Sequence, residues 1–216
     1  MSMFRQRFRL RYAVEGDKRF LSHHDLMRLW LRALRRTGLP LRMTEGFHIR
    51  PRVSFAMARG VGIASQAEWL EFELSDWVNP EVAARQLAPQ LPPGIVLREV
   101  KVVAPSDRAV VRRMVYEVRP GRSVEDLRRR VEGLLQRREV IVRRGGGENR
   151  QRQIDIRPLL VSAAVQVDGH LEIVAECRES GSLRPEEVLS ELGFTREDIA
   201  QSLITRIDAQ LEPAAT

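Results

Sequence analysis

The chain is 216 residues long, with 43% hydrophobic residues, 6% aromatics and a single cysteine, Cys177. One cysteine excludes a disulfide framework and any all-cysteine iron–sulfur or structural zinc site, since each needs several thiolates, and it fits a reducing cytosol. With 36 basic and 29 acidic residues the net charge is +7, which points to a polyanionic partner.

The opening MSMFRQRFRLRY has no apolar h-region, and no run approaches the ~18 apolar residues of a membrane span, so neither a signal peptide nor a membrane helix is expected. Phe4 to Val14 alternates apolar and basic residues with period two, which predicts a strand with one buried face. Ser22 to Thr37 reads as a helix: Ser22 and Asp25 form an S-x-x-D capping box, Leu26, Trp30, Ala33 and Leu34 make the apolar stripe, and Gly38 sits at the C′ position. Residues 39–45 suggest a short strand and residues 46–51 a loop. The alternating Val53, Phe55, Met57 and Leu70, Phe72, Leu74 predict a hairpin. Asn79 to Gln90, with Pro80 at N1, predicts a helix, and Ile95 to Val103 a strand.

Residues 104–112 have no periodicity and read as a domain boundary. Beyond it come a strand over Met114–Arg119, a helix over Ser123–Arg137 and a strand over Val140–Arg143. A hairpin of Ile154–Val167 with Leu171–Cys177 turns at Asp168-Gly169-His170. A helix over Arg184–Leu192 and a strand over Ile204–Leu211 close the order. Each half reads as β-α-β-β-β-α-β. The expectation is an α+β protein of two ferredoxin-like domains in tandem, residues 1–104 and 113–216.

Charge is unevenly spread along this order. Residues 1–60 carry a net +10, residues 61–104 −3, residues 105–152 +7 and residues 153–216 −7, and 34 of the 36 basic residues are arginine. A basic N-terminal part and an acidic end suggest a polyanion-facing surface.

Five segments carry candidate chemistry. Arg5, Arg7, Arg9 and Arg11 would form a phosphate-binding ladder on a free sheet face, or would pair across strands with Glu71 and Glu73. Arg28, Arg32, Arg35 and Arg36 share one helix face that has no local acid beyond Asp25. His23 and His24 stand at a helix N-terminus, where anions bind, and His48 lies in the next loop. Three such imidazoles are the raw material of a metal site or a general base. The loop TEGFHIRPRVS, residues 44–54, interleaves Phe47 and His48 with Arg50 and Arg52, a pattern suited to stacking on single-stranded bases, although Phe47 could equally be a core residue. Arg143 and Arg144 open a glycine-rich basic loop, residues 143–152, that lacks the Gly-Lys-Ser/Thr of a phosphate-cradling P-loop. No Ser/His/Asp order and no nucleotide fingerprint stands out, and no cofactor or metal is expected. Glu186, Glu187, Glu191, Glu197 and Asp198 read as a solvated acidic surface.

The first 70 or so residues are similar to the radical-SAM-linked protein family, defined by an N-terminal domain of unknown function. Phe20, Leu21, Ser22, His23, Asp25 and Leu26 match its F-L-S-H-x-D-L motif. Arg32, Ala33, Arg35, Arg36, Gly38, Leu39 and Pro40 match R-A-x-R-R-x-G-L-P. Gly46, Phe47, Pro51, Arg52, Ser54, Phe55 and Ala56 match its G-F-N-P-x-P-R-x-S-F-A run, with His48 and Ile49 in place of Asn-Pro. Ser65, Ala67 and Glu68 match the S-x-A-E element, followed by Trp69 and Glu71 where the family has Tyr and Asp.

The resemblance implies a companion of a radical SAM protein in an RNA-related context. It is not itself a radical SAM enzyme, because the three-cysteine cluster motif is missing. The element order also resembles the CRISPR repeat-processing endoribonucleases, which pair two ferredoxin-like domains. The expectation is therefore a cytosolic, non-catalytic protein that presents structured RNA, tRNA or rRNA, to a radical SAM partner. Arg7, Arg9, Arg28, Arg32, Arg35, Arg36, Arg50, Arg52, Arg143 and Arg144 would meet phosphates and Phe47 a base. The alternatives are a metal-independent endoribonuclease, using His23 or His48 as base and Arg52 on the phosphate, and an adaptor whose basic face meets an acidic patch on the partner without RNA.

Overall fold

The computed structural model of the protein describes residues 5–121, 123–145, 152–179 and 181–212. The chain is α+β and divides into two compact units. One runs to Val111 and takes back the chain end from Leu211; the other is Arg112–Gln210.

In the first unit β1 (Gln6–Val14) is the central strand. It pairs antiparallel with β3 (Ala64–Leu74) on one side and β4 (Ile95–Val103) on the other, and β2 (Val53–Phe55) pairs antiparallel with the outer side of β3. The helices are α1 (His23–Arg36), whose N-cap Ser22 accepts from the Asp25 amide at 3.2 Å, and α2 (Pro80–Leu87), capped by Asn79. Phe4 lies outside the described residues.

Alternation sends Phe8, Leu10 and Tyr12 of β1 and Leu70, Phe72 and Leu74 of β3 into one core with Leu26, Trp30, Ala33 and Leu34 of α1 and Ala83 and Leu87 of α2. Phe8 stacks on Phe72, directly across the ladder, at 5.1 Å between ring centroids. Trp30 is fully buried and meets Tyr12 edge-on. Truncating such a residue to alanine costs about 3–5 kcal/mol.

On the other face of β1 the arginines take the second of the two expectations, pairing with Glu71 and Glu73 instead of lying on a free surface. Arg7 is 2% exposed and Arg9 is 5% exposed. Glu71 and Glu73 stand opposite them on β3, and the segment after β4 lies against the same face: Arg7 donates to the Pro105 carbonyl and Arg9 bonds Asp107. The strand is covered on both sides because these acids and this segment supply partners for every guanidinium that goes under.

The loops at the start of α1 are held by a residue with no periodic signal. The buried Arg59 guanidinium donates to the carbonyls of Lys18, Arg19, Leu21, Gly60 and Ile63. It thereby fastens the β1–α1 turn to the β2–β3 loop. Gly94 is required beside that turn: its φ is +87° and a Cβ there would sit 2.8 Å from the Glu15 carbonyl.

In the second unit β5 (Val111–Arg119) lies between β9 (Leu171–Arg178), its antiparallel partner, and β11 (Leu203–Leu211). β9 also pairs with β8 (Leu160–Val165) and with the short β10 (Gly181–Ser182). β6 (Ile141–Arg144) and β7 (Arg152–Asp155) form a separate antiparallel pair. The helices are α3 (Val124–Leu135), α4 (Pro185–Glu191) and α5 (Arg196–Gln201).

Two sequence expectations change here. The single strand foreseen over Ile154–Val167 breaks into β7 and β8 at a short helical turn, Arg157–Leu159, containing Pro158. Proline presets φ and offers no N–H, and Asp155 accepts from the Val140 and Arg157 amides, so the chain turns there. The helix α5 was not foreseen, although Thr195 and Asp198 form a reciprocal capping box at its start.

Candidate nucleic-acid interface

The apolar stripe of α1 leaves Arg28, Arg32, Arg35 and Arg36 exposed on the outer side of the helix. Arg28 lies 3.9 Å from Asp25, an exposed pair of little energetic weight. Arg36 donates to the Gln90 carbonyl at 2.7 Å, which ties the end of α1 to the turn after α2. Arg32 and Arg35 make no hydrogen bond or ion pair among the described residues. Two guanidinium groups three residues apart are thus held on a rigid helix with their donors open to solvent.

The loop between α1 and β2 is ordered by its own backbone. Leu41 bridges to Leu74 and Met43 to Pro51. The Thr44 amide donates to the Arg50 carbonyl, the Thr44 hydroxyl donates to the His48 carbonyl, and the same hydroxyl accepts from the Arg50 amide. Gly46, with φ +105°, makes the turn possible. The tip therefore projects outward: Phe47 is fully exposed and Ile49 is 64% exposed. The core alternative for Phe47 is excluded by this placement.

At the base of this loop lies a cleft of about 180 Å³. Its walls carry Arg5, Arg7, Arg50, Arg52 and Arg108, with Glu71 and Glu73 among them. The two acids are already engaged. Glu71 accepts from Arg7 Nη2 at 2.8 Å, Arg9 Nε at 2.9 Å and the Ala109 amide at 3.1 Å. Glu73 pairs with Arg5 at 2.5 Å and with Arg42 at 3.5 Å. Burial works against charge on Arg9, but its bonds to Asp107 and Glu71 outweigh that and hold its pKa above the ordinary value. Arg52 reaches the Met43 carbonyl at 3.4 Å, and the Arg50 and Arg108 side chains have no partner among the described residues.

The structure thus sorts the sequence candidates. Arg7 and Arg9 are turned inward to acids and present no free fork to a phosphate. Arg28, Arg32, Arg35 and Arg36 line α1, and Phe47, Arg50 and Arg52 belong to the loop and cleft. His23 is half-buried, with its ring edge-on to Phe55 at 5.2 Å, and His24 and His48 are exposed. Among the described residues no three His, Cys, Asp or Glu side chains are placed to hold a metal ion. In the second unit Arg143 is exposed, whereas Arg144 is locked by Glu187 through two bonds of 2.6 and 2.7 Å, which raise its pKa. Residues 146–151 of the basic loop lie outside the described residues. The foreseen acidic surface is partly internal pairing: Glu191 holds Arg137 at 2.7 Å, as Glu187 holds Arg144. Sequence reasoning missed Arg108, which sits in the segment without periodicity, and only its return to the cleft reveals it.

Among the described residues no helix is long and apolar enough to cross a membrane. No curated protein matches the chain. A family model described as an uncharacterized protein conserved in bacteria, DUF2344, matches residues 7–185, which takes in α1, the loop and every wall of the cleft but Arg5. A match over that much of the sequence assigns the chain, and it belongs to the DUF2344 family.

Proposed function

We propose that this protein binds RNA on the first unit, as a non-catalytic accessory that presents structured RNA, such as tRNA or rRNA, to a radical SAM partner. The observation that carries the reading is the exposed Phe47 on an ordered loop above an arginine-lined cleft. An aromatic ring on the same loop as an unpaired guanidinium group is the combination that single-stranded or looped RNA requires: one stacks on a base while the other neutralises a phosphate. Arg32 and Arg35 on α1 extend the basic surface.

The same reading takes both units as ferredoxin-like sandwiches. The all-antiparallel order β4-β1-β3-β2 supports it in the first unit, and the order β8-β9-β5-β11 supports it in the second, with β6–β7 as an inserted hairpin. Such folds host many functions, so the site and not the fold bears the argument.

The test is binding of mixed tRNA and of duplex DNA as a function of salt. RNA binding that weakens steeply with salt is expected, and Arg32→Ala/Arg35→Ala lowers the slope of log K against log salt by about 2. Phe47→Ala weakens RNA binding by about 1–3 kcal/mol while leaving that slope unchanged. Absence of RNA binding at low salt overturns the proposal and favours an adaptor that meets an acidic patch on its partner.

A further inference from the structure

The cleft under the 44–52 loop differs from the α1 face in shape and in charge balance. Arg32 and Arg35 stand on the exposed, convex face of a helix. The cleft is concave, and five arginines face two glutamates on its walls, which leaves three guanidinium charges uncompensated. Glu71 cannot be recruited further, since it already serves Arg7, Arg9 and the Ala109 amide. The excess falls on Arg50, Arg52 and Arg108, of which Arg50 and Arg108 have no side-chain partner among the described residues. The cleft's 180 Å³ is many times the ~10–15 Å³ that one water needs, which is room for a phosphate.

Concave positive walls with low-dielectric surroundings focus field, and they favour a dianion over a monoanion. An internal phosphodiester is a monoanion with chain leaving on both sides. A terminal phosphomonoester carries nearly two charges at neutral pH and enters end-on. Phe47 is three residues from Thr44 and three from Arg50, on the loop that walls the cleft. It is fully exposed and so available to the base attached to such a terminus.

We infer that this cleft is a seat for a terminal phosphomonoester of an RNA strand, gripped by Arg50, Arg52 and Arg108, with Phe47 stacking on the end base. The RNA part rests on the function proposed above; the anion seat stands on the cleft alone.

The experiment uses the full chain and one short single-stranded RNA sequence in three forms: 5′-phosphate, 3′-phosphate, and hydroxyl at both ends. One phosphorylated form binds about tenfold or more tightly than the hydroxyl form, as one additional charge-assisted contact provides. Arg50→Glu and, separately, Arg108→Glu weaken the phosphorylated form more than the hydroxyl form, and so remove that preference. Arg32→Glu/Arg35→Glu lowers all three alike. Equal affinities for the three forms overturn the terminal-phosphate seat while leaving RNA binding intact.

If none of the three binds, the RNA reading fails, and thermal stability in inorganic phosphate against chloride at matched ionic strength decides the seat by itself. A rise in melting temperature with phosphate that Arg50→Glu abolishes keeps the anion site. No rise removes it. Both residues are exposed, so their variants retain the fold, which the unfolding transition in chloride checks.

Discussion

Arg7 and Arg9 on β1 and Arg32 and Arg35 on α1 belong to one unit, yet they end in opposite surroundings. The β1 pair is almost wholly buried and bound to Glu71 and Asp107; the α1 pair faces solvent with no partner among the described residues. The difference lies in their neighbours. β3 brings Glu71 and Glu73 beside β1 at the spacing of its own side chains, and the chain after β4 returns with Asp107 and two backbone partners. Among the described residues the outer face of α1 has Asp25, near Arg28, and the Gln90 carbonyl at its far end. A charge goes inside only where its partners are fixed in place beforehand, and it stays outside, available to a ligand, where they are not.

The comparison breaks most visibly at Glu71. Glu71→Ala takes the shared carboxylate from two buried guanidinium groups, leaving Arg9 to Asp107 and Arg7 to a 3.8 Å contact with Glu73, and costs about 3 kcal/mol, measured by chemical denaturation. A loss below about 1 kcal/mol would mean that water reaches the network freely. Replacing Arg7, Arg9 and Glu71 together by apolar residues of similar size restores much of that loss, because the charges and their desolvation leave together.

Arg59→Met comes next. Five backbone carbonyls lose the Arg59 donor, those of Lys18, Arg19 and Gly60 keeping only a backbone amide, and about 2–3 kcal/mol of stability goes with the guanidinium, accompanied by faster hydrogen exchange in the β1–α1 turn. Retained protection in that turn would show that the loops hold without the guanidinium.

Cys177 gives a smaller, pH-dependent effect in the second unit. Burial pushes its thiol up to about 11 from an ordinary 9.0. The folded state therefore holds this proton more tightly than the unfolded chain. Its contribution is complete below about pH 9 and is lost as pH rises through 11. Cys177→Ala flattens that alkaline decline, and the native thiol resists alkylation at neutral pH. Rapid native labelling would contradict the burial.

The smallest stability effect belongs to the exposed row. Arg32→Ala/Arg35→Ala changes unfolding free energy by less than about 0.5 kcal/mol, although it is the pair expected to weaken RNA binding. A large destabilisation would show that these side chains have partners after all.

The local elements were legible because their signals are local. The alternation in β1, the S-x-x-D cap of α1, Pro80 at the start of α2 and the limits of β4 follow from periodicity and capping, which need only neighbouring residues. The Phe47 loop was legible as a loop with rings and charges, but not that its ring points to solvent. The break at Pro158 and the helix α5 carried signals, a proline and a Thr-x-x-Asp box, that a longer alternating run and a glycine nearby obscured.

The sequence alone determined the α+β alternation, the apolar stripe of α1 and the excess of arginine in the first 60 residues. Which arginines are free was decided only by tertiary structure. Ion pairing and burial depend on which strands become neighbours and on where the chain returns, as Asp107 does to Arg9, Arg108 to the cleft and Glu187 to Arg144. Those approaches join residues some 40 to 100 positions apart, a separation that periodicity does not encode.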